Sequence, residues 1–223
     1  RCGKNDVRTG EGLSVVSGEL SAAMAAGAAR RVGLWASIAC AAFSIVYILG
    51  QLFEWLGMLG SAGGPDSAST PLGITILLTP SLLLGPAFLV MMSALHQTAV
   101  ADRRIFSQVA LAFAIIYATL ISMVYFVQLT LVAPRIVAGD TEDIAFLLFV
   151  PYRSFLFAVD LLGYSMMSLS TLFGAFALPS CRPGRIARLF MILNGALLPS
   201  LAFQMFLPSL IYVAALWAVT LPG

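Results

Sequence analysis

Lysine, histidine and cysteine are almost missing from this chain: one Lys, one His and three Cys in 223 residues. Lys4 stands near the N-terminus, so neither a Schiff-base lysine in an apolar core nor a phosphate-loop lysine is available. With His96 alone there is no H-E-x-x-H helix and no pair of axial histidines, and the nine methionines of so apolar a chain are read as packing. His96, at the end of an apolar run beside Asp102, Arg103 and Arg104, is expected to be an interfacial residue solvated by headgroups. Cys2, Cys40 and Cys181 form no C-x-x-C and no disulfide framework. No G-x-S-x-G is present, and a lone aspartate in an apolar run, without a second in a G-x-G-D setting, argues against an aspartyl intramembrane protease. The expectation is a protein that is not an enzyme and carries no cofactor or metal.

Charge is as sparse. Asp, Glu, Lys and Arg make up 10% of the chain, against about 25% in a soluble globular protein. The formal charge of +2 is too small to indicate a nucleic-acid partner.

What the chain has instead is apolar length. Hydrophobic residues reach 60% and the mean hydropathy is +0.97. A single core of ordinary size cannot hide that much apolar surface, so most of it must face lipid. The reading is an all-α, polytopic membrane helix bundle with six spans, the last truncated. Spans are expected at residues 32–56, 71–95, 105–133, 154–178 and 186–206, with a partial one at 209–221. The apolar stretch 144–178 would be ~52 Å long as one helix, against a hydrocarbon core of ~30 Å, so it must divide. Pro151 marks the break, with a short interfacial helix at 140–150 before it. Residues 1–29 mix Gly, Ser, Ala and scattered charge and read as a mobile cytoplasmic tail; residues 30–223 form one transmembrane domain. The ends, Arg1 and Leu221-Pro222-Gly223, look like borders of a fragment, with Met24 as the expected natural start.

Arginine sets the expected orientation. With the tail in the cytoplasm, the inner side carries Arg30, Arg31, Arg103, Arg104, Arg182, Arg185 and Arg188, while the outer loops hold only Arg135 and Arg153. The N-terminus is therefore placed inside.

The runs GSAGGPDSASTPLGI, LLTPSLLLGP, YFVQLTLVAPR and FLFAVDLLGYSMMSLSTLF give the chain, over most of residues 32–217, a resemblance to a group of small, uncharacterised bacterial multi-pass membrane proteins. The resemblance implies a bacterial inner-membrane location and a sixth helix continuing past WAVTLP to basic residues that this chain lacks. It implies no chemistry.

Ionisable groups inside spans cost about 2.5 to 3.5 kcal/mol at the centre on insertion scales, and so are the first places to look for function. Ser44, Tyr47, Gln51 and Glu54 share one stripe of the first span, and Asp160, Tyr164, Met167 and Thr171 one stripe of the fourth. Ser122, Tyr125 and Gln128 line up near the end of the third. Two readings remain open. In one, Glu54, Gln51, Gln128, Asp160 and Tyr164 share an outward-facing pocket for a cation or proton, with Arg153 or Arg135 as counter-charge. In the other, preferred on the sequence, these groups tie helix ends together and snorkel to headgroups. The corresponding functions are a non-catalytic accessory or scaffold protein, with a membrane-protein partner or a second copy of itself, and a small ion- or proton-coupled transporter using Glu54 and Asp160. Ala110, Ala114, Ala118 and Ser122, at i+4 spacing, are expected to make a close helix contact inside the chain, and Asn194 and Gln204 to bridge helices around a kink at Pro199.

Overall fold

The computed structural model of the protein describes residues 7–64, 69–179, 182–216 and 220, with backbone alone for 7–23, 182, 183 and 214. Cys2, Lys4 and Cys181, and the side chain of Arg182, lie outside the described residues. The fold is an all-α polytopic bundle, and five helical stretches are long and apolar enough to cross a membrane: Met24–Trp55, Pro71–Thr98, Ala101–Ala138, Phe155–Ala177 and Gly184–Ala202.

The first helix, α1, runs over Val7–Trp55. The segment expected to be a tail is therefore helical from Val7 and continuous with the first span. An Ala-rich stretch without proline has the propensity to extend a helix once the span behind it supplies the nucleus. At its other end α1 stops where Gly57 takes a left-handed φ of 71°, its N–H donating to the Glu54 carbonyl at 2.9 Å. Helix α2, Pro71–Thr98, starts on Thr70, whose hydroxyl accepts from the Gly73 N–H at 3.1 Å and donates to the Leu59 carbonyl at 2.7 Å.

After a single 3-10 turn at Ala101–Arg103, α3 covers Arg104–Val127 and passes through a π turn, Gln128–Val132, into the short α4, Ala133–Ala138. Pro134 explains the π turn. A proline has no N–H to give the preceding turn, and the backbone widens there so that the Ala133 N–H bonds to the Gln128 carbonyl five residues back. Where an interfacial helix was expected at 140–150, there is a shorter 3-10 helix at Glu142–Leu147. Pro151 then opens a turn in which Tyr152 has a φ of 61°, and Ser154 caps α5, Phe155–Ala177, by accepting from the Phe157 N–H at 3.2 Å.

At the other end of α5, Arg103 and Arg188 each donate to the Leu178 carbonyl at 2.6 Å, and Arg188 also to that of Ala175 at 3.0 Å, closing carbonyls that the helix leaves unpaired. Helix α6, Arg182–Ala196, breaks at Leu197 before Pro199, and α7, Leu198–Ala202, completes the fifth crossing. The expected kink is there. The partial sixth span is a 3-10 turn, Pro208–Leu210, and a four-residue helix α8, Ile211–Ala214.

Consecutive long helices are neighbours: α1 packs on α2, α2 on α3, α3 on α5, and α5 on α6. The small residues of α3 make an internal contact, as expected. Ala110, Ala114 and Ala118 are buried, the Ser170 hydroxyl of α5 donates to the Ala110 carbonyl at 2.7 Å, and Gly85 of α2 lies against Ala118. The core runs through Phe88 and Tyr117, edge to face at 5.3 Å, and on to Tyr164 at 5.9 Å from Tyr117. Large apolar side chains such as Trp35, Leu49 and Phe126 stay exposed, which suits a lipid-facing surface.

Candidate functional site

The helix ends at Trp55, Pro71 and Phe155, with the loops between, close one end of the bundle around a cavity of about 330 Å³. Its wall includes Tyr47, Gln51 and Glu54 from α1, Tyr125 from α3, and Asp160 and Tyr164 from α5. Gln204, Ile211 and Ala215 complete it from the C-terminal segment. No lysine, arginine or histidine lines it among the described residues.

Glu54 is placed by the last turn of α1. It is 2% exposed, and neither carboxylate oxygen has a hydrogen-bond partner among the described residues. Its Oε2 rests against Gly73, where a Cβ would come within 2.6 Å, so the missing side chain is what gives the carboxylate its room. Gly73 belongs to the first turn of α2, whose positive dipole end favours a negative charge there.

Asp160 stands on the second turn of α5, 8% exposed, with Oδ1 unpartnered. Tyr125 is in hydrogen-bonding contact with the Asp160 side chain, and its hydroxyl is also 3.0 Å from that of Tyr164. On the α1 side the Tyr47 hydroxyl donates to Gln51 Oε1 at 3.0 Å. Two carboxylates on helices that are not direct packing neighbours thus open on one space, each with a tyrosine-bearing polar stripe beside it.

Four of the expected site residues, Gln51, Glu54, Asp160 and Tyr164, share the cavity, and two do not. Gln128 points away, donating from Nε2 to the Leu147 carbonyl at 2.6 Å, and so ties the 3-10 helix to the end of α3. Arg153 is exposed and absent from the wall, because it precedes the Ser154 cap in a turn that faces outward. Arg135 is no counter-charge for the carboxylates either: it pairs with Asp140 at 3.2 Å and with Asp143 at 3.8 Å. Tyr125 and Gln204 also line the cavity; Gln204, expected to bridge helices, has its Oε1 buried without a partner among the described residues. The stripe Ser122, Tyr125, Gln128 was the signal for Tyr125; nothing local distinguished Gln204.

Outside the cavity, His96 is tied to α3 through Nδ1 and the Ser107 hydroxyl, 3.0 Å apart, rather than merely solvated. Asn194 bridges helices as expected, its Oδ1 accepting from Thr171 at 3.0 Å. No group of three or more His, Cys, Asp or Glu side chains able to hold a metal occurs among the described residues.

An ionised carboxylate that is buried without full hydrogen bonding is costly, and a cation in the cavity would offset that cost. Gln51, Gln204 and the tyrosines add dipoles that can orient such a guest. In comparisons with family models, curated proteins and solved structures nothing matches this chain, so its function has to be read from the chemistry of this cavity.

Proposed function

We propose that the protein is a small membrane carrier that binds a cation in exchange for protons, with Glu54 and Asp160 as the binding and proton-carrying groups. The observation that supports this reading is the shared cavity: two buried carboxylates, Glu54 with neither oxygen partnered and Asp160 with Oδ1 unpartnered, on one wall that holds no basic residue among the described residues. A purely structural role for Glu54 would leave its carboxylate paired to a neighbouring helix, as the Asn194 side chain is.

The test is proton movement in proteoliposomes loaded with a pH-sensitive dye, under an inward gradient of sodium and then of an organic ammonium salt. The expected result is a proton flux faster than in liposomes carrying Asp160→Asn. Equal fluxes in the two would leave the accessory or scaffold role standing.

We further propose a bacterial inner-membrane location with the N-terminus in the cytoplasm, so that the cavity lies near the outer face. The arginine asymmetry supports this orientation. In a cysteine-free background, a thiol reagent that cannot cross the membrane should label Ala62→Cys and not Ala101→Cys in intact cells; the reverse pattern would invert the topology.

A further inference from the structure

We infer that the guest of this cavity is a small organic ammonium ion, a primary amine in its charged form on an apolar, preferably aromatic, body. The inference rests on the carrier reading for its site, and goes beyond it in naming the class of solute.

The first ground is the polarity of the wall. Among the residues that form the wall, the buried polar atoms without a partner are both oxygens of Glu54, Oδ1 of Asp160 and Oε1 of Gln204. All four are acceptors. A ligand that satisfies them must be rich in donors, and an ammonium group has three N–H donors and no acceptor. A carboxylate or phosphate ligand would face the opposite of what it needs.

The second ground is size and lining. A volume of about 330 Å³ corresponds to roughly ten waters at ~30 Å³ each, and falls at the lower end of the ~300 to 1,000 Å³ typical of sites for small organic ligands. Between the acceptors the wall is aliphatic, with Leu77, Leu78 and Leu161, and aromatic, with Trp55, Phe149 and Phe157. A bare Ca²⁺ needs about six to eight oxygens within ~2.6 Å, whereas these acceptors are spread over α1, α5 and the segment after α7. An ammonium on an apolar body uses both kinds of surface: its head meets a carboxylate, its body fills the aliphatic space, and the ring faces attract the positive charge.

The experiment is calorimetric titration of the full chain in lipid nanodiscs with phenethylammonium chloride at about pH 7, where this amine is charged. 2-Phenylethanol, a neutral ligand of nearly the same shape, and sodium chloride serve as comparison titrants. The charged ligand is expected to bind saturably and at least about tenfold more tightly than the alcohol, ~1.4 kcal/mol. Asp160→Asn and Glu54→Gln should each weaken it by about tenfold while leaving the alcohol within about twofold; Arg153→Gln, outside the cavity, should change neither.

Equal affinity for amine and alcohol in the parent protein would overturn the inference, and that comparison needs no variant to fold. Absence of amine binding together with an Asp160-dependent proton flux driven by sodium would overturn the solute class and leave the carrier standing. Amine binding as expected without any flux would keep the solute class and remove the carrier. Neither binding nor flux would remove both.

Discussion

Oε2 of Glu54 occupies the space that a side chain on Gly73 would need: a Cβ built there stands 2.6 Å from that oxygen. The contact couples the start of one helix to the acid at the end of another. Gly73→Ala forces the carboxylate to move, because the neighbour that must give way is the far end of a flexible side chain. Alanine is also the better helix former by about 0.5 to 1 kcal/mol. The expected outcome is a stability change within ~1 kcal/mol of the parent together with a loss of amine affinity of several-fold or more. Thermal unfolding and titration of the same preparation check it; unchanged affinity would mean that Glu54 holds no ligand.

Asp160→Asn and Glu54→Gln form a thermodynamic cycle. Removing a partly desolvated charge while keeping a carboxamide should leave stability level or raised in each single variant. If both acids serve one ligand, the losses in affinity will be non-additive, whereas independent sites add within about 0.5 kcal/mol. Additive effects on amine binding would separate the two residues into different sites.

Gln128→Leu should act in the opposite way. It removes the donor that closes the Leu147 carbonyl at 2.6 Å and leaves that carbonyl without its partner, at a cost of about 1 to 3 kcal/mol. Because Gln128 does not line the cavity, amine affinity should hold. Chemical denaturation and calorimetry on the variant test both halves, and a loss of affinity at unchanged stability would put Gln128 back in the site.

Deleting residues 209–223 should open the cavity, since Ile211 and Ala215 form part of its wall. The segment does not make a crossing helix among the described residues, so the five spans should persist by circular dichroism while amine binding falls. Unaltered binding would show that the segment only rests on the site.

The chain's own pattern carried the long elements. Apolar runs that begin at Thr70-Pro71 and at Ser154 place the starts of α2 and α5 within a residue or so of where they occur, because caps and prolines act locally. The stripe from Ser44 to Glu54 faces inward for the same kind of reason: 3.6 residues per turn put those positions on one side of any helix, whatever surrounds it. The length of the segment before Pro151 was less legible. A 3-10 turn held by Gln128 from another helix competes there with the α-helix that the apolar pattern favours.

Composition and periodicity by themselves determined that this is a membrane bundle, roughly where its five long apolar helices run, and which few acids are embedded in them. Tertiary structure decided which of those acids meet. Gln128 and Asp160 lie at the same end of the bundle and carry equal weight in the sequence, yet one bonds a loop carbonyl and the other faces a cavity. Arg153 precedes Asp160 by two helical turns' worth of sequence, but the Ser154 cap separates them and leaves the arginine outside. The rotation of each helix about its axis depends on the side chains it packs against, such as Gly73 against Glu54 and Ala118 against Gly85, and those neighbours are distant in sequence.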